Sequence, residues 1–174
     1  MIEIQYLKGD ATRPVGNGQK IICHICNDIG AWGAGFVLAL SKRWSEPEAV
    51  YRRNLALQLG SVEIVPVEDD ISVANMIAQR GITRMGFDDA DEPPIRYEAL
   101  RACLTQVNDI AYRSKATLHM PRIGCGLAGG EWSQVQDIIN EVCSVDVYVY
   151  DYFSVEEINK CGPYRMYSSG IDNL

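Results

Sequence analysis

Apolar and polar residues alternate from the first positions of the chain. Ile2, Ile4 and Tyr6 interleave with Glu3 and Gln5, which predicts a half-buried first strand. Gly9-Asp10 ends it, and Pro14, Gly16 and Gly18 mark a loop. The unbroken apolar run Ile21-Ile22-Cys23-His24-Ile25 has the composition of a strand covered on both faces. Phe36-Val37-Leu38-Ala39-Leu40 begins a helix expected to reach about Trp44. Ser45-Glu46-Pro47-Glu48 places a capping residue before acidic residues and proline, opening a helix expected to run towards Leu59 and stop at Gly60.

Two β-rich runs follow, Val62 to Val67 and Ile71 to Ile77, separated by Glu68-Asp69-Asp70. The polar stretch from Arg80 to Pro94 reads as an exposed loop open to motion. Tyr97, Leu100, Leu104, Val107 and Ala111 then recur at helical spacing within a helix from about Ile95 to Ser114. Thr117 to Met120 is a short buried strand, Glu131 to Val142 a helix with Trp132, Val135, Ile138 and Ile139 on one face, and Val145 to Tyr150 the last strand. Strands alternating with helices predict an α/β fold, a mixed and mainly parallel sheet between two helix layers.

At 174 residues, 47% hydrophobic and 22% charged, the chain suits one globular domain with a full core and not a disordered segment. No apolar stretch approaches the roughly 20 residues of a membrane helix, and the start is not a basic segment followed by an apolar run. A cytoplasmic protein is expected. The net charge of -7, with no Lys/Arg stripe, argues against duplex nucleic acid and requires any phosphate ligand to be held by local fields. Cys23 and Cys26 form a CxxC, but they end a β-rich run rather than opening a helix, and no second CxxC completes a zinc site. Reduced, packed thiols are expected, with no metal and no cofactor.

Ligands of open α/β sheets bind beyond the carboxyl ends of the strands. Two glycine-rich segments occupy such positions, Asn27 to Gly35 and Gly124 to Gly130, each after a strand and before a helix. Glycines there let the backbone approach a diphosphate, and free N–H groups supply positive potential without basic side chains. GxxxxGK[ST] is absent, and Gly30-x-x-Gly33-x-Gly35 does not match GxGxxG.

Gly9-Asp10-Ala11-Thr12, His24-Ile25-Cys26-Asn27 with Gly33-Ala34-Gly35, and Met120-Pro121-Arg122-Ile123-Gly124-Cys125-Gly126-Leu127 resemble, in order and spacing, three elements of macrodomains. The likeness runs from about Ile2 to Tyr152. It is nearest to the subclass holding terminal ADP-ribose glycohydrolases, a chromatin-remodeller macrodomain and bacterial mono-ADP-ribose hydrolases. It implies a three-layer α/β/α macrodomain over 1–152, with 153–174 as an extension that packs on it or is partly disordered.

The resemblance also implies a ligand, ADP-ribose or an ADP-ribosylated protein, and a site. Asp10, beside Ala11, would accept a hydrogen bond from adenine, and Tyr152 would cap the ring. Asn27 would contact the distal ribose. Trp32, Gly33, Ala34 and Gly35 would face the ligand from one side and Ile123, Gly124, Cys125, Gly126 and Leu127 from the other. Asn27 is the candidate catalytic group, with His24 second; a satisfied core histidine is the better reading of His24. The glycohydrolase lysine and aspartate align with Gln79 and Ala128, which removes that covalent route. Three functions stay open: hydrolysis of mono-ADP-ribose from acidic side chains by water attack, ADP-ribose 1''-phosphate phosphatase, and a non-catalytic reader.

Overall fold

The computed structural model describes residues 2–82 and 92–152. The extension 153–174 and most of the loop expected at 80–94 lie outside the described residues. Strands β1 (Ile4–Lys8), β2 (Lys20–Asn27), β3 (Val62–Glu68), β4 (Ile71–Gln79), β5 (Thr117–Met120) and β6 (Val147–Asp151) form one sheet in the order β1-β6-β5-β2-β4-β3. Every pairing is parallel except β3 with β4. Helices α1 (Phe36–Arg43) and α2 (Glu46–Arg53) cover one face, and α3 (Tyr97–Ser114) and α4 (Trp132–Val142) the other. This is the three-layer α/β/α arrangement with a mixed, mainly parallel sheet that the hydrophobic pattern predicts.

The period-2 rule sorts the core. On β2, Ile21 and Cys23 face α3 and α4, while Ile22 and Cys26 face α1 and α2. The CxxC thiols therefore point to opposite faces and cannot bridge. Burial raises the pKa of both far above that of a reactive thiol. On β4, Ala74, Met76 and Ala78 take the first face and Val73 and Ile77 the second. Helix α3 presents Leu100, Cys103, Leu104, Val107 and Ala111 as a buried stripe. The Leu and Val side chains among them each contribute about 1.5–3 kcal/mol of burial.

Two expectations change. Helix α2 ends at Arg53 rather than near Leu59, because the Asn54 side chain accepts from Ala56 N–H at 3.0 Å and donates to Glu63 at 3.0 Å. A local turn of this kind competes with helix propagation. Leu55 is consequently left 98% exposed. Tyr6 on edge strand β1 is likewise exposed, lying edge-on to Trp132 instead of in the core.

The buried polar groups are paired. His24 Nε2 lies 2.6 Å from Asn75 Oδ1, and Asn75 Nδ2 donates to Pro47 O and Glu63, so the imidazole must donate. His119 Nδ1 meets the Tyr150 hydroxyl at 2.8 Å and Nε2 meets Thr117 Oγ1 at 2.8 Å, with the ring stacked on Tyr148. Among the described residues no helix is long and apolar enough to cross a membrane.

Burial holds His24 down at about 4, against the raising effect of the hydrogen bond that it donates to Asn75. Burial, then the Lys20 charge, does the same for His119, also at about 4. The unfolded chain protonates its histidines near 6.5 and so binds more protons than the fold between about pH 4 and 6.5. Stability is therefore expected to be insensitive to these groups above pH 7 and to fall as pH drops from 6.5. Urea midpoints between pH 7 and 5.5, above the carboxylate range, test this. His119→Gln should flatten the slope, and a wild-type midpoint constant over that interval would contradict the assignment.

Candidate ligand cleft

Because β2 and β5 are parallel neighbours in the middle of the sheet, the loops that follow them open at the same edge. Between them lies a cleft of about 320 Å³. Asn27, Ala31 and residues 33–37 line one side, and residues 121–124 and 126–128 the other, over a floor that includes His24, Ile25 and Gln79.

The first loop is organised by Asn27, at the end of β2. Its Oδ1 accepts from Ile29 N–H at 3.1 Å and Ala31 N–H at 3.0 Å, and its Nδ2 donates to Ala31 O at 2.7 Å. The Tyr51 hydroxyl donates to the same residue, 2.6 Å from its carbonyl and 2.8 Å from Oδ1. One Nδ2 hydrogen remains, on a side chain that lines the cleft. Gly35 caps α1 with φ +81, no side-chain cap and no acidic residue in the first turn, so the positive end of the helix dipole is uncompensated.

The second loop depends on glycine for space. Gly124 has φ +75, and a Cβ there would come within 2.4 Å of Ile95 Cδ1. At Gly130 a Cβ would lie 2.6 Å from the carbonyl of Gly124, which accepts from Gly130 N–H at 2.7 Å. Ile95 itself is stitched to the loop through its N–H on Ala128 O at 3.1 Å. Among the described residues no acceptor engages the N–H groups of Gly33, Ala34, Gly35, Gly124 or Gly126. Unengaged amides on both walls leave backbone dipoles from which an anion cradle can be built.

Polar lining groups are few. His24 is buried and committed to Asn75, and Gln79 Nε2 donates to Gly81 O at 2.9 Å. Arg122 is turned to Asp151 in a bidentate pair at 2.7 and 2.9 Å and stacks over Tyr6 and Trp132. Among the described residues the lining includes no carboxylate and no lysine. Nor does any group of His, Cys, Asp and Glu among them suit a metal ion.

A smaller hollow adjoins the cleft through Phe36, Pro121 and Arg122, and Gly9, Ala11, Tyr150 and Tyr152 complete it. Asp10 accepts there from Thr12 N and Oγ1, each at 2.8 Å. Tyr152 approaches Asp10; burial first, then the Asp10 charge and hydrogen bond, raise its pKa. The structure thus gathers Ala11, Asn27, Gly33, Ala34, Gly35, Ile123, Gly124, Gly126, Leu127 and Tyr152 around two adjoining depressions, with Asp10 beside Tyr152. Trp32 and Cys125 are not among the lining residues. Trp32 is buried against Tyr51 with its indole N–H on Ser41, and burial raises Cys125 to about 12.

Sequence reasoning missed Tyr51 and Ile95 as supports of the two loops. Tyr51 carried a usable signal: a tyrosine on the apolar face of a polar helix needs a buried partner for its hydroxyl.

No protein-family model matches the chain. A macrodomain protein from Streptomyces coelicolor, of solved structure, is 45% identical, with 87% of this chain and 100% of that one covered and a TM-score of 0.74. The chain belongs to the macrodomain family. A Bacteroides thetaiotaomicron protein of unknown function, also solved, is 52% identical over 86% of this macrodomain and 98% of that chain, with a TM-score of 0.81. The mouse chromodomain-helicase-DNA-binding protein 1-like is 31% identical over 86% of the macrodomain, which spans only 18% of that relative's length. An ADP-ribose 1''-phosphate phosphatase of Lodderomyces elongisporus is 23% identical over 84% of the macrodomain and 97% of the phosphatase.

Gly124→Ala is expected to destabilise the macrodomain by about 1–3 kcal/mol through its positive φ and the contact with Ile95. Ile95→Val removes the clashing methyl, so the double variant should be more stable than the sum of the two single losses. Thermal or urea unfolding of the four proteins checks this, and strict additivity would show that Ile95 does not set the space at Gly124.

Proposed function

We propose that this macrodomain binds ADP-ribose across the two glycine loops and hydrolyses mono-ADP-ribose esters on acidic protein side chains. The observation that carries the proposal is the pair of facing walls with unengaged amides, Gly33 to Gly35 and Gly124 with Gly126, across a cleft of about 320 Å³. They suit a diphosphate in a chain of net charge -7. Adenine would then lie against the hollow by Ala11 and Tyr152, which at about 10 Å³ must widen to admit the ring, at the edge held by Asp10, and the distal ribose would lie by Asn27.

The linkage follows from what the lining lacks. A carboxylate leaving group has an aqueous pKa of about 4 and departs from the anomeric carbon without a general acid. Water attack forms the new C–O bond, the ester C–O bond breaks, and the water's proton passes through a diphosphate oxygen to solvent or to the released carboxylate. Gln79 and Ala128 offer neither a nucleophile nor an acid, so no covalent intermediate is involved. A serine or arginine linkage would leave a far more basic group and demand an acid that the described lining does not contain.

The phosphatase reading draws on the fungal relative. Against it, a terminal phosphate by Asn27 and Gln79 would carry close to two negative charges beside neutral side chains, since Arg122 is committed to Asp151.

ADP-ribose is expected to bind with Kd near the micromolar range, about -8 kcal/mol, and AMP more weakly. Gly126→Glu should remove binding while the melting temperature holds, because its carboxylate would meet the diphosphate. Calorimetry without heat at millimolar ADP-ribose, or unchanged affinity in folded Gly126→Glu, would refute the cleft assignment. A glutamate-linked mono-ADP-ribosylated protein, ADP-ribose 1''-phosphate and free ADP-ribose, assayed side by side, distinguish hydrolase, phosphatase and reader. Release from the first substrate alone is expected.

A further inference from the structure

Helix α2 contributes no residue to the lining of the cleft, yet two of its consecutive side chains reach the first ligand loop. We propose that Tyr51 of α2 is a positioning residue for the reaction, its hydroxyl fixing Asn27 and through it the loop that carries Gly33 to Gly35. The inference rests on the reading that this cleft binds ADP-ribose.

Tyr51 is fully buried, and its hydroxyl donates towards two acceptors, Asn27 O at 2.6 Å and Asn27 Oδ1 at 2.8 Å, while its oxygen also faces the backbone N–H of Gly30 in the same loop. The side-chain amide cannot be the other way round, because Oδ1 also receives the N–H groups of Ile29 and Ala31. Burial raises the Tyr51 pKa, so the group is a permanent donor. Its single proton thus bridges the last carbonyl of β2 and the side chain that folds the following turn. The register of β2 on β4 shifts between Cys26 and Asn27 and pairing resumes at Gln79, so the Tyr51 hydroxyl meets β2 at its one irregular step on β4.

The rest of α2 supports the same loop. The Tyr51 ring packs on Trp32 at 5.4 Å between centroids, and Arg52, paired with Glu48 at 2.8 Å, extends towards the carbonyls of Gly30 and Trp32 at 3.5 and 3.4 Å. Packing alone would be met by phenylalanine. What only tyrosine supplies is the hydrogen bond to Asn27, whose remaining amide hydrogen belongs to the cleft. The helix therefore sets, from outside the site, the angle at which Asn27 meets the distal ribose and the height of the amides beyond it.

Tyr51→Phe in the full chain tests this with two readouts. Amide exchange at Ile29 and Ala31, followed by NMR without ligand, should quicken by about tenfold, while exchange in β5 and α4 stays as in the wild type. Turnover of the glutamate-linked substrate should fall by about tenfold or more with KM changed by less than about threefold, and Tyr51→Phe should add little to the loss in Asn27→Ala. Unchanged exchange at Ile29 and Ala31 in the folded variant would overturn the proposal, as would losses that simply add in the double variant. Should Tyr51→Phe fail to fold, 3-fluorotyrosine at position 51 strengthens the donor and should slow the same two amides; no change there would overturn it equally. A wild type that neither binds nor hydrolyses ADP-ribose adducts would refute the functional reading, whereas the exchange measurement would still decide the role of Tyr51.

Discussion

Parallel pairing of β2 with β5 governs what this macrodomain can do. β2 is paired with β5 over Lys20–Ile22 and with β4 along its length, and β5 is paired with β6 on its other side, so both strands lie at the rigid centre of the sheet. Because they run the same way, the glycine segments that follow them emerge side by side. The cleft exists because two loops distant in sequence are held at one edge by a rigid centre. Antiparallel pairing would have sent them to opposite ends of the sheet.

The same rigidity is what the proposed phosphate site would draw on in an acidic protein. The positive potential comes from backbone N–H groups and the start of α1, whose directions the fold fixes, and not from lysine or arginine. Arg122, a guanidinium in the lining of the cleft, is used structurally on Asp151 and two aromatic rings. Fixed dipoles need no reorganisation when a ligand arrives, and glycine is required where a Cβ would strike the loop's own support, as at Gly124 against Ile95 and at Gly130 against the Gly124 carbonyl.

Much of this was legible in the residues alone. The period-2 and period-3.6 patterns located every strand and helix, because each element buries one side or both and its composition follows. The glycine loops were legible because they interrupt those patterns after strands. What escaped was non-local. The end of α2 depends on Asn54 reaching Glu63, and the shape of the first loop depends on Tyr51, 24 residues away in sequence. Trp32 sits in the loop by sequence but in the core by packing, since its indole finds Tyr51 and Ser41. Periodicity reports whether a side chain is buried; it does not report which partner its polar end meets.

A crystal of the protein soaked with ADP-ribose tests the central claim most directly. The account predicts the diphosphate between the two loops, its oxygens within hydrogen-bond distance of the amides of residues 33–35 and 124–126. Adenine should lie beside Asp10 and Tyr152, the distal ribose beside Asn27, and a water should stand in line with the anomeric carbon. A diphosphate bound elsewhere, or a ligand whose distal ribose points away from Asn27, would contradict it.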